Sequence, residues 1–123
     1  MTQERTSPRP GTSEDNQVTL RGRVSTAPEA RELPSGSVIV TFRVTVARSQ
    51  TAMTAGSRQT VDWLDCTAWG AGVRRTVGSW QLGDEVEVVG ALRRRFYRAG
   101  QGTSTRLEVE VLRARRLSRR APS

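Results

Sequence analysis

Trp63 and Trp69 stand in the run Val61-Asp62-Trp63-Leu64-Asp65-Cys66-Thr67-Ala68-Trp69. Side chains alternate along a strand, so Leu64, Cys66 and Ala68 share one face, and Trp63, Asp65, Thr67 and Trp69 share the other. The first face is small and apolar, suited to a core. The second sets two large aromatics among polar groups, where water reaches them. Soluble domains usually tuck Trp away, so this pair calls for a ligand with flat faces.

A second segment supplies charge. Val86-Glu87-Val88-Val89-Gly90-Ala91-Leu92 runs directly into Arg93-Arg94-Arg95-Phe96-Tyr97-Arg98. At period two, Val86, Val88, Gly90, Leu92 and Phe96 fall on one face, and Arg93, Arg95 and Tyr97 on the other. Aromatics interleaved with arginines suit single-stranded nucleic acid, because bases stack on rings while guanidinium groups meet phosphates.

Other chemistries lack their residues. The chain has no His, which removes the commonest general base and metal ligand, and its single Cys cannot build a zinc site. Asp62 and Asp65 fall on opposite strand faces and cannot act as a carboxylate pair. No enzyme, metal or cofactor is expected. Cys66, on the apolar face, reads as a buried thiol. No run of about 18 apolar residues exists to span a membrane, and the polar N-terminus lacks the apolar stretch of a signal peptide. A cytoplasmic protein with no membrane partner is the expectation.

The formal net charge is +8, with 20 basic residues, all Arg, against 12 acids. Residues 93–123 hold ten of those Arg and two acids, so this quarter carries the whole imbalance. Such asymmetry points to a polyanionic partner. Arg can also stack and fork its hydrogen bonds to phosphate, which Lys cannot.

The elements that position these residues follow from periodicity. At 123 residues the chain is one domain able to bury a core without disulfides. Residues 1–15 are polar and Pro-containing, and read as a disordered arm. Val18, Leu20, Gly22 and Val24 alternate in a first strand, where Gly22 suggests a bulge or bend. Ala27–Leu33 reads as irregular, leading to the turn Pro34-Ser35-Gly36-Ser37. Val38, Val40, Phe42, Val44 and Val46 define a second strand, with Thr41, Arg43, Thr45 and Arg48 on or near its other face. A flexible loop over 49–60 precedes the Trp strand. Val73, Val77 and Trp80 make a helical stripe within 71–82, placing Trp80 in the core. Gly83-Asp84 turns into the fourth strand, and Ala99–Ser104 reads as a hairpin tip. Leu107, Val109 and Val111 alternate in a last strand over 106–112, leaving Arg113–Ser123 as a basic, frayed tail. Five strands with one short helix between the third and fourth is the order of an all-β OB-fold, a Greek-key barrel.

At this level the chain resembles the bacterial single-stranded DNA-binding protein family over residues 16–117. Asn16-x-Val18 with Gly22-Arg23 resembles its opening strand. Pro28-Glu29-x-Arg31 with Pro34-Ser35-Gly36 resembles the approach to its second strand, which Phe42 to Arg48 continues. Trp63 and Trp69-Gly70 match its aromatic third strand. Gly83-Asp84-x-Val86-x-Val88-x-Gly90-x-Leu92-Arg93 is the most specific stretch, and Tyr97 falls where the family has a DNA-stacking aromatic. Leu64 replaces a His that the family associates with its tetramer interface. Gln50 falls near a position where a further stacking Trp is common. The family's acidic C-terminal tip, which recruits replication and repair enzymes, is absent, so that recruitment is not expected.

The resemblance implies binding of single-stranded DNA with little sequence preference, in replication, recombination or repair, by a homo-oligomer that is a tetramer in the family. Trp63, Trp69 and Tyr97 would stack bases. Arg43, Arg48, Arg93, Arg95 and Arg98, with Arg21 and Arg23 further out, would track phosphates. The domain is expected over 16–117, with 118–123 a disordered basic tail. An RNA-binding or primosomal OB-fold module is the alternative, since stacking rings and arginines do not distinguish DNA from RNA.

Overall fold

The computed structural model describes residues 15–100 and 102–120, apart from the side chains of Arg98 and Ala99. Its elements are β1 (Val18–Glu32), β2 (Val38–Ala47), β3 (Val61–Ala68), α1 (Ala71–Gly78), β4 (Glu85–Ala99) and β5 (Gly102–Ser118). The strands close into a barrel in the order β1-β2-β3-β5-β4. All neighbours are antiparallel except β3 and β5, which run parallel. This is the expected OB-fold, with its helix between β3 and β4.

The inward residues of every strand meet in one core. Val24, Phe42, Val44, Cys66, Ala68, Val86, Val88, Val109 and Val111 are buried together, joined by Val77 of α1 and by Trp80. Trp80 follows the helix and meets Phe42 edge-on, with ring centroids 5.4 Å apart. Leu64 also packs against this core from β3. Burial pushes the Cys66 thiol up to about 12, helped by the charges of Asp65 and Glu108, so it stays protonated and inert.

Closing so small a barrel forces backbones together at two glycines. A Cβ on Gly22 would lie 2.0 Å from the Thr45 carbonyl oxygen, and one on Gly90 would lie 1.8 Å from that of Glu110. Gly22 therefore marks a close approach. The irregularities of the β1–β2 pairing lie further on, between Val24 and Thr26 and between Thr26 and Glu29. Asn16 supplies an extra rung, its side-chain amide donating to the Leu92 carbonyl at 3.0 Å and accepting from the Leu92 N–H at 2.9 Å.

Several boundaries differ from the sequence expectation. The stretch read as irregular, 27–33, continues β1 to Glu32, because pairing with β2 resumes after the bulges from Glu29↔Thr41 to Glu32↔Val38. The last strand runs through residues 113–118, read as frayed tail, because Arg113, Arg115 and Arg116 pair with Val89, Glu87 and Val86 of β4. Beyond it, the Arg120 N–H donates to the Asp84 carboxylate at 2.9 Å. The helix stops at Gly78 instead of reaching residue 82.

Two face assignments also change. Leu92, Phe96 and Leu107, placed by period two with the valines of their strands, are exposed, because β4 and β5 outrun the barrel and project as a two-stranded arm. An irregularity between Val89 and Gly90 precedes this arm, and Gly90 and Ala91 are both buried there. At the start of β2, Val38 is exposed while Ile39 is fully buried on the opposite face. The tip at Gly100 is shorter than read, since strand pairing extends to Ala99↔Gly102. Most of the N-terminal arm, residues 1–14, and residues 121–123 lie outside the described residues.

Candidate nucleic-acid interface

The outward face of β2 and β3 carries the aromatic pair. Trp63 lies opposite Thr45, Asp65 opposite Arg43, and Thr67 opposite Thr41. Trp63 is 55% exposed, Trp69 40% and Tyr97 41%, against 4% for Trp80. Of these four rings, Trp63, Trp69 and Tyr97 are presented to solvent and Trp80 is core. Thr67, on the floor between the tryptophans, is buried with its hydroxyl unpartnered.

Trp63, Trp69 and Tyr97 each have an arginine beside the ring. The Arg43 guanidinium sits 3.9 Å from the centre of the Trp63 ring, within cation–π range, and its Nε donates to Asp65 Oδ1 at 3.2 Å. One face of Trp63 is therefore covered, leaving the other for a ligand. Arg95 stands 5.8 Å from the Trp69 ring and donates to the buried Glu108 carboxylate at 3.1 Å. Arg106 stands 5.7 Å from the Tyr97 ring.

The arm folds its charged side toward this face and leaves two adjoining hollows. One, of about 360 Å³, is lined by Trp69, Arg93, Arg95, Glu108 and Glu110 among others. The other, of about 240 Å³, is lined by Arg31, Ile39, Thr41, Arg95, Tyr97, Arg106 and Glu108. Arg95 and Glu108 form the shared wall. Trp69 and Tyr97 thus sit on either side of one ion pair.

The remaining candidates fall into place around this cleft or away from it. Arg93 donates to Glu110 at 3.0 Å, and Arg48 stands 3.5 Å from Asp62. Arg23 lies opposite Thr45, in the same cross-strand row as Trp63, and donates to the Gly83 carbonyl at 3.0 Å. Arg21 is held on the β1–β4–β5 side instead. There the Glu87 carboxylate accepts from Arg21 at 2.7 Å and from Arg115 at 2.9 Å. Those two hydrogen bonds hold Glu87 below the usual carboxylate range and raise Arg115 in return. The Arg98 side chain lies outside the described residues.

Sequence reasoning missed Arg31, Ile39 and Arg106. Arg31 lay in the stretch read as irregular, and Arg106 was read only as the start of a strand. Their common destination depends on the pairings Arg31↔Ile39 and Arg95↔Arg106, which join elements far apart in the chain.

Residues 15–117 match the model of the single-strand binding protein family. The chain belongs to that family. Among its relatives, single-stranded DNA-binding protein A of Bacillus subtilis is 32% identical over 87 residues, covering 71% of this chain and 49% of that protein. Single-stranded DNA-binding protein of Mycobacterium tuberculosis is 31% identical over 105 residues, covering 79% and 61% respectively. Single-stranded DNA-binding protein B of Bacillus subtilis is 30% identical over 97 residues, covering 79% and 83%. The chain thus spans 49% and 61% of the first two of these relatives. A solved Plasmodium falciparum SSB complex with ssDNA superposes with a TM-score of 0.69 over 96% of this chain and 100% of that one. At 18% identity this establishes a common fold.

Proposed function

We propose that this family member binds single-stranded DNA with little sequence preference and serves DNA replication, recombination or repair without catalysing a reaction. The observation that carries the reading is the exposure of Trp63, Trp69 and Tyr97 along one arginine-lined face, while the equally apolar Trp80 is buried. Bases of any identity present a π-face to such rings, and Trp63, Trp69 and Tyr97 would stack them. Arg43, Arg48, Arg93, Arg95 and Arg98 would surround the strand with positive charge, with Arg21 and Arg23 further out. The relatives named above carry single-stranded DNA binding in their names, which supports the same partner here. No described helix is long and apolar enough to cross a membrane, and we place the protein in the cytoplasm with the DNA.

The functional unit is a homo-oligomer, a tetramer by family likeness. Residues 18–22 of β1 pair with β4 alone, and Leu92, Phe96 and Leu107 expose apolar surface on one side of the arm. Both features suit a second copy.

A competition assay between matched DNA and RNA oligomers, read by intrinsic fluorescence, tests the assignment. Preferential binding of oligo-dT with quenching of the tryptophan signal is expected. Equal or tighter binding of the RNA oligomer would replace this reading with an RNA-binding OB module, and binding of neither would remove it.

A further inference from the structure

Four of the arginines on the binding face are already matched by acids. Arg43 is paired with Asp65 at 3.2 Å, Arg48 with Asp62 at 3.5 Å, Arg93 with Glu110 at 3.0 Å and Arg95 with Glu108 at 3.1 Å. A phosphate approaching such a pair meets a cation whose charge is largely spent. To take the cation it must displace a carboxylate, which then needs a counterion of its own. The net release of counterions, which drives binding to nucleic acid, is correspondingly small at these positions.

The hollow beside Tyr97 is different. Arg31 and Arg106 both line it, both are exposed, and neither has an acidic partner among the described residues. Arg106 also lies directly opposite Arg95 in the β4–β5 ladder. Like charges facing each other across a ladder destabilise the sheet. Glu108 offsets one of the three converging guanidinium groups and leaves two without compensation. Ile39, fully buried on the outward side of β2, gives the hollow an apolar floor, and the Tyr97 ring stands at its wall. Its volume of about 240 Å³ is below the roughly 300–1,000 Å³ of drug-sized ligand sites, which suits one nucleotide unit.

We infer that this hollow is the principal phosphate grip of the chain: Arg31 and Arg106 clamp a backbone phosphate of the nucleotide whose base lies against Tyr97. Of the paired arginines, Arg43 and Arg95 serve chiefly to hold the Trp63 and Trp69 rings in place. The inference rests on the proposed binding of single-stranded DNA and says where along the face the electrostatic share of that binding is concentrated. It also accounts for the opposition of Arg95 and Arg106, which a bound phosphate relieves.

The test is the salt dependence of oligo-dT binding, measured by anisotropy on the full chain. Arg31→Gln and Arg106→Gln should each flatten the slope of log K against log salt, and the double variant by about 0.7, the share of the one phosphate the two arginines hold on a single strand. Arg106→Lys, which keeps the charge, should leave the slope near that of the unaltered protein. Arg43→Gln and Arg93→Gln should flatten it much less. Because Arg106→Gln removes a like-charge opposition, its melting temperature should hold or rise, which separates lost binding from lost fold. An unaltered slope in both Arg31→Gln and Arg106→Gln, with the unaltered protein still binding oligo-dT, overturns the grip and leaves the proposed function standing. So does an equal loss on removing Arg43 or Arg93. If the unaltered protein fails to bind oligo-dT at all, the proposed function falls, and this inference with it.

Discussion

At the scale of single residues, the three tryptophans divide by surroundings. Trp63 and Trp69 are solvent-facing, and replacing either by Ala should weaken oligo-dT binding by about 1–3 kcal/mol with the fold intact. Because Trp63 carries Arg43 on one face, its substitution also frees that arginine and Asp65 to rearrange. Trp80 meets Phe42 in the core, so Trp80→Ala should cost about 3–5 kcal/mol of stability in urea denaturation. Poly-dT should quench the emission of Trp63 and Trp69 and leave that of Trp80. Quenching that vanishes only with Trp80 would falsify the face assignment.

Among the elements, β4 shows most clearly how the barrel meets the site. Its first half is core, where Val86 and Val88 alternate inward, and its second half is an arm with Arg93 and Arg95 on one side and Leu92, Arg94 and Phe96 on the other. Gly90 sits at the change, where the β5 backbone presses against it. Gly90→Ala should therefore destabilise the domain by about 1–3 kcal/mol or more, because the added methyl meets backbone that cannot step aside. Gly102, at the end of the arm with nothing within 4 Å, should accept the same change almost freely. Equal melting temperatures for the two variants would show that β4 and β5 can separate at Gly90 without cost.

For the molecule as a whole, Asp84 ties three regions together. It is buried, and its carboxylate accepts from the Gln81 N–H after the helix and from the Arg120 N–H after β5, both at 2.9 Å. Burial opposes its ionisation, but these two N–H groups and the charges of Arg116 and Arg119 outweigh that, so its pKa lies below the ordinary 3.8. A lowered folded-state pKa means the carboxylate's stabilisation is complete above the unfolded value and disappears as pH falls through the folded one. Asp84→Ala should melt well below the unaltered protein at neutral pH, and the gap should narrow only below about pH 4. A gap of constant size down to pH 2 would place the effect in packing instead of charge. Assembly is the second question at this scale. Light scattering should return a multiple of the 13.6 kDa chain mass, and a monomer mass independent of concentration would exclude the proposed oligomer.

The strand count, the inward sets of β3 and of β2 from Val40 on, and the outward pair of tryptophans were legible in the residues, because a strand flanked by core on one side must alternate and Val, Phe and Trp mark that alternation. The glycine positions were legible too, though not their reason, since a close backbone approach involves a second strand. Three things waited for the tertiary structure. Residues 113–118 read as a tail by composition, yet the acids of β4 draw Arg115 into the barrel wall through Glu87. Leu92, Phe96 and Leu107 carry the period of a core strand, but alternation says only which side a residue faces, and beyond the barrel that side meets water. Whether each arginine's charge is matched by an acid depended on its neighbours across the sheet. Register, set by barrel closure, paired Arg43, Arg93 and Arg95 with acids and brought Arg31 and Arg106 to one hollow with no ion pair of their own among the described residues.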